Sequence, residues 1–193
     1  MFLESSLNHT VKSGSIEVIC GSMFSGKTEE LLRRLRRASF AKLKVEIYKP
    51  ITDTRYDNTK VVSHNEHFVN STIVRDSSDI FEKIDNPDVI AIDEAQFFTD
   101  DLSITCNTLA NLGIRVIVAG LDMDFQGQPF GYMPKLLAIS EHITKVHAIC
   151  LECGNIANHS FRTSDNKDLV SLGEKNNYKP LCRECFNKNI KHE

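Results

Sequence analysis

Apolar residues along this chain gather in short runs divided by stretches of helical spacing, and that alternation predicts strands and helices in turn. Residues 16–20 (Ile-Glu-Val-Ile-Cys) read as a first buried strand, and leucines at 31, 32 and 35 mark the helix after it. Residues 44–49 alternate as a second strand, ended by Pro50, which has no N–H to donate to a sheet. Residues 52–60 are polar and turn-rich, which predicts a mobile loop. Two short strand-like runs follow at 61–63 and 71–74, then a weak helical signal at 81–84 ahead of Asn86-Pro87. Beyond these, 88–92 reads as a strand, 102–112 as a helix stopped by Gly113, and 115–120 as another buried strand. A helix over 133–140 and a strand over 143–149 complete the series. The order predicts an α/β unit over 15–149 built on a parallel sheet, preceded by a polar tail at 1–14.

Between the first strand and first helix, Gly21-Ser22-Met23-Phe24-Ser25-Gly26-Lys27-Thr28 fills every fixed position of G-x-x-x-x-G-K-[ST]. Strand, glycine loop and helix aim backbone N–H groups and a helix N-terminus at a polyphosphate. Gly21 and Gly26 allow close approach, Lys27 can reach the β- and γ-phosphates, and the Thr28 hydroxyl can ligate magnesium. A nucleoside triphosphate is therefore expected here. Asp93 and Glu94 end the strand at 88–92, where a phosphate-loop protein brings an acidic residue toward the magnesium. The loop 121–131 is rich in aromatics and glycine and is expected at the same sheet edge, placed to line a pocket.

The chemistry changes after residue 149. Cys150-x-x-Cys153 and Cys182-x-x-Cys185 are two knuckles whose four thiolates suit tetrahedral, structural zinc. Runs at 159–163 and 169–173 read as strands of a small ribbon, so 150–193 is expected to be a zinc-ribbon or lasso unit with a C-terminal tail. Cys20 and Cys106 lie on apolar segments and read as core. The helix after the glycine loop carries Arg33, Arg34, Arg36 and Arg37, which read as a solvated face.

Composition narrows the class. The chain has 193 residues, 41% hydrophobic and 25% charged, and no apolar run long enough to span a membrane. Its start lacks the pattern of a signal peptide, and six cysteines without one point to metal or reduced thiols over disulfides. A net charge of −3 gives no reason to expect a nucleic-acid partner, and a cytoplasmic protein is expected. Two chemistries fit the residues. In a motor or switch ATPase, Glu94 would activate water; in a kinase, it would take the proton of an attacking hydroxyl. The short chain, the absence of basic charge and the aromatic loop favour the kinase.

Taken in order, the glycine loop at 21–28, Asp53-Thr54-Arg55-Tyr56, residues 92–98 (Ile-Asp-Glu-Ala-Gln-Phe-Phe), the 121–131 loop and the two cysteine knuckles resemble the type II thymidine kinases. The resemblance covers about residues 15–187. It implies a phosphate-loop fold, transfer of the ATP γ-phosphate to the 5′-hydroxyl of thymidine or deoxyuridine, structural zinc, magnesium with ATP, a homotetramer and inhibition by dTTP. By the same resemblance Glu94 is the general base. Lys27, Thr28 and Asp93 hold phosphates and magnesium, Gln96 belongs to the ATP side, and Asp53 and Arg55 lie near the triphosphate. Met23, Phe97, Leu121, Phe125 and Phe130 would wall the thymine pocket, with Phe125 stacked on the ring. Leu169, Val170, Ser171, Leu172 and Gly173 would form a lid whose backbone pairs with the base, and Tyr178 would close over it. The lid has Glu174 where the human cytosolic member carries a further glycine. The resemblance assigns no role to His159 or Ser160.

Overall fold

The computed structural model describes residues 13–51, 60–62, 68–163 and 177–190, with the backbone alone at 60–62 and 68–70. The polar tail up to residue 12, most of the 52–60 loop with Asp53 and Arg55, and the lid residues Leu169 to Gly173 lie outside the described residues. In chain order the elements begin with β1 (Ser15–Cys20), α1 (Lys27–Phe40), β2 (Val45–Pro50), β3 (Lys60–Val62), β4 (Phe68–Asn70), β5 (Thr72–Val74) and α2 (Asp79–Lys83). Next come β6 (Val89–Ile92), a 3-10 turn (Ala95–Phe97), α3 (Leu102–Asn111), β7 (Arg115–Gly120), α4 (Met133–Ile139) and β8 (His142–Lys145). The chain finishes with β9 (Ala148–Ile149), β10 (Ile156–Ala157), β11 (His159–Arg162), β12 (Tyr178–Leu181) and α5 (Arg183–Ile190).

Six strands form one parallel sheet in the order β5-β2-β6-β7-β1-β8. Because strand side chains alternate between faces, each central strand feeds two cores. Ile16, Val18, Ile90, Ile92, Val116 and Val118 pack against Leu102, Leu109, Met133 and Leu136 of α3 and α4. Ile19, Val89, Ala91, Ile117 and Ala119 pack against Leu31, Leu32 and Leu35 of α1. Cys20 and Cys106 belong to the first core, as expected, and burial pushes both thiols up, Cys20 to about 11. No helix among the described residues is long and apolar enough to cross a membrane.

Two expectations change. Arg34 is not solvated; it is 4% exposed and bonds Glu17 (2.6 Å), Glu30 (2.9 Å) and Thr144 (2.8 Å). The reason is Glu17, which alternation places on the α1 face of a buried strand, where an ionised carboxylate demands cations. Arg115 supplies the second, at 2.6 Å. Burial raises the Glu17 pKa, but the Arg115 and Arg34 guanidiniums outweigh it and hold the carboxyl below its ordinary range. The strand expected over 143–149 is also two pieces. β8 lies at the sheet edge, and Val146 N–H still donates to the Cys20 carbonyl (2.8 Å). The chain then leaves the sheet, where His147 Nδ1 pairs with Asn158 Oδ1 at 2.5 Å, and β9 joins β10 in a separate lobe.

That lobe consists of the β9–β10 and β11–β12 ribbons and α5, around Ala148, Ala157, Leu181, Phe186 and three of the knuckle cysteines. The expected strand at 159–163 is β11, and its antiparallel partner is β12.

Candidate active site

β6, β7 and β1 are adjacent and parallel, so the loops at their carboxyl ends leave one edge of the sheet together. These are the glycine loop after β1, Asp93-Glu94 after β6 and the aromatic loop after β7. In the glycine loop, Gly21 has φ 146°, and a Cβ there would lie 2.2 Å from the Val146 carbonyl oxygen. Gly26 caps α1 in the left-handed region, φ 86°. Both glycines are therefore required by the backbone. Lys27 Nζ donates to the Ser22 carbonyl at 2.8 Å and Ser25 Oγ to the same oxygen at 2.7 Å, which closes the loop on itself.

Glu94 adopts φ 53°, ψ 41°, a left-handed conformation uncommon for a residue with a side chain. Asp93, 7% exposed, accepts the Glu94 N–H at 2.9 Å. The Gln96 amide donates to Glu94 Oε2 at 2.5 Å, and its oxygen accepts the Leu121 N–H at 2.8 Å. Gln96, grouped above with the ATP residues, thus ties the carboxylate after β6 to the aromatic loop after β7. A carboxylate held in this way is oriented to accept a proton.

The aromatic loop is a turn built on Asp124, whose carboxylate accepts the Gln126 and Gln128 N–H groups at 2.9 Å each. It presents Phe125, half-buried, near its tip. Phe130 packs edge-to-face on Phe97 with centroids 6.0 Å apart, and Leu121 is buried beside Gln96. Asp122 forms a 2.6 Å ion pair with Lys145.

The cysteine-knuckle lobe reaches into both halves of this edge. Ser160 Oγ accepts the Met23 N–H of the glycine loop at 2.9 Å, and Ser22 Oγ lies 3.5 Å from the Ala157 carbonyl. Arg162, 4% exposed, stands over the Phe125 ring and donates to the Tyr178 hydroxyl at 3.0 and 2.7 Å. Sequence reasoning missed Ser160 and Arg162. Their signal was two polar residues two apart on a predicted strand, which places both on one face.

The four knuckle sulfurs all lie within 4.8 Å of one another, with Cys153 and Cys182 at 3.6 Å. Tetrahedral zinc with its ordinary bond lengths sets sulfurs about 3.8 Å apart, so this donor set fits such an ion.

A glycine loop between the first strand and helix of a parallel sheet, beside a carboxylate pair on a nearby strand, defines the class: a phosphate-loop nucleotide-binding α/β protein. The family comes from sequence. A family model described as thymidine kinase matches residues 14–186. A thymidine kinase of Bacteroides thetaiotaomicron is 56% identical over 96% of this chain and 94% of its own length. One from Bacteroides fragilis is 53% identical over 100% and 97%, and one from Porphyromonas gingivalis 56% identical over 94% and 90%. The chain belongs to the thymidine kinase family. A solved structure, the genome packaging NTPase B204 from Sulfolobus turreted icosahedral virus 2, superposes with a TM-score of 0.46 at 16% identity, covering 70% of this chain and 75% of that one.

Proposed function

We propose that this thymidine kinase transfers the γ-phosphate of ATP to the 5′-hydroxyl of thymidine, and of deoxyuridine, with Glu94 as general base. The observation carrying this reading is the Glu94 carboxylate, held by Gln96 beside the aromatic loop at the sheet edge that the phosphate loop shares. As the 5′-oxygen attacks phosphorus, its O–P bond forms, the bond from phosphorus to the ADP oxygen breaks, and the proton passes to Glu94. Magnesium bound with ATP would neutralise developing phosphate charge, and Thr28 and Asp93 are the residues that would hold it. The loop N–H groups and Lys27 orient the triphosphate, with Asp53 and Arg55 assigned beside it.

The base is proposed to lie among Met23, Phe97, Leu121, Phe125 and Phe130, under a lid of Leu169, Val170, Ser171, Leu172 and Gly173 with Tyr178. Excluding water there prevents it from competing with the nucleoside hydroxyl. Zinc on Cys150, Cys153, Cys182 and Cys185 would anchor both ends of the segment that carries the lid. A cytoplasmic homotetramer inhibited by dTTP belongs to the same proposal.

The test is ADP release from ATP with a panel of nucleosides. Thymidine and deoxyuridine should drive release. Deoxycytidine, whose amino donor meets a donor placed for the thymine carbonyl, should be poorer by at least about tenfold. Purine nucleosides should be inert. ADP release that ignores added thymidine would point to an ATPase instead.

A further inference from the structure

We propose that Arg162 is a positioning residue for the nucleoside base, fixing from the cysteine-knuckle lobe the two aromatic side chains assigned to it. Its guanidinium carbon lies 3.8 Å from the centroid of the Phe125 ring, and its Nε and one terminal nitrogen donate to the Tyr178 hydroxyl. This rests on the nucleoside site proposed above. The geometry of β11 singles the residue out. His159 and Phe161, on one face of the strand, pack on Phe186: His159 stacks at 4.4 Å and Phe161 meets it edge-on at 6.3 Å. That face builds the core of the lobe. The other face carries Ser160 to the phosphate loop and Arg162 to Phe125.

Phe125 needs such a support. The Asp124 hydrogen bonds fix the backbone of its turn but leave the ring free about its own side-chain torsions. A planar guanidinium stacked on one ring face selects one orientation and leaves the opposite face for a base. Tyr178 lies directly across the ribbon from Arg162, so a single side chain sets the spacing of both aromatics. Lysine would keep the charge but not the planar fork.

Steady-state kinetics on Arg162→Met, Arg162→Lys and Tyr178→Phe, read beside zinc content and melting temperature, test the assignment. Arg162→Met should raise the thymidine KM roughly tenfold or more, leave the ATP KM within about twofold, and narrow the preference for thymidine over deoxycytidine. Arg162→Lys should fall between Met and wild type. Tyr178→Phe removes the acceptor at one end only and should raise the thymidine KM about threefold, which decides the matter if Arg162→Met does not fold. A thymidine KM unchanged in Arg162→Met, or in Tyr178→Phe where that variant must decide, overturns the proposal. So does a parallel rise of both KM values with loss of zinc, the mark of a structural role alone. Wild-type protein inert toward every nucleoside overturns it together with the functional reading, whereas an active wild type with an unaffected Arg162→Met overturns it alone.

Discussion

The phosphate loop and the proposed nucleoside pocket share one sheet edge but are built in opposite ways. The loop is a single stretch, Gly21 to Thr28, whose positive-φ glycines and self-directed hydrogen bonds are local properties. The pocket as proposed would draw Leu121, Phe125 and Phe130 from one loop, Phe97 from the turn after β6, and Arg162 and Tyr178 from a lobe beyond the sheet. A site made of one segment depends on the dihedrals of that segment. A site gathered from several depends on whatever holds those segments in register. The structure points to two such devices: Gln96 between Glu94 and Leu121, and β11 between the cysteine knuckles and the sheet edge.

The comparison breaks most drastically at the metal. Structural zinc in small domains supplies apparent binding free energy on the order of 10 kcal/mol, which a lobe of two short ribbons and one helix would not replace. One zinc per chain should appear by elemental analysis, and Cys153→Ser or Cys185→Ser should give poorly folded protein with neither site intact. A metal-free, fully active preparation would contradict this. Next in size is Glu94→Gln, which should lower turnover by about 10²–10⁴ while ATP binding by calorimetry is retained. Near-normal turnover would remove Glu94 from the mechanism.

Below the site, the buried Glu17–Arg34 pair joins α1 to β1. Arg34→Met should destabilise the protein at pH 7 by roughly 3 kcal/mol, since it takes one partner from a buried charge. Glu17 has a folded pKa below its ordinary 4.5, so the stability it contributes is present above that value. It is lost as pH falls through the folded value. The gap in melting temperature between wild type and Arg34→Met should therefore narrow below about pH 4.5. A constant gap would show that the pair does not act through charge. A smaller effect is expected from Ser160→Ala. Losing one neutral hydrogen bond to Met23 N–H should raise both KM values about fivefold, since Met23 belongs to the loop and is also proposed to wall the base. A rise in only one would separate those roles.

The same contrast explains what could be read from the sequence. The sheet was legible because runs such as 89–92 and 116–118 are apolar on both faces, and the glycine loop because its conformation admits few residues. The cysteine knuckles were legible from spacing alone. Arg34 was not, because four arginines in one helix look alike until Glu17 is known to face that helix. The tie made by Gln96 was not legible either, since nothing local shows that Leu121 N–H, in the next strand's loop, donates to its side-chain oxygen. Arg162 and Ser160 carry no motif, and their importance lies in contacts distant along the chain.

On the proposed assignment, phosphates and base are read by regions that share Met23 and otherwise meet only at the transferred phosphoryl group. Its most direct test is the pair of KM values for Phe125→Ala. Base–aromatic stacking is worth about 1–3 kcal/mol, so the thymidine KM should rise by roughly tenfold to a hundredfold while the ATP KM stays within about twofold. Equal rises in both, or a rise for ATP alone, would contradict the division.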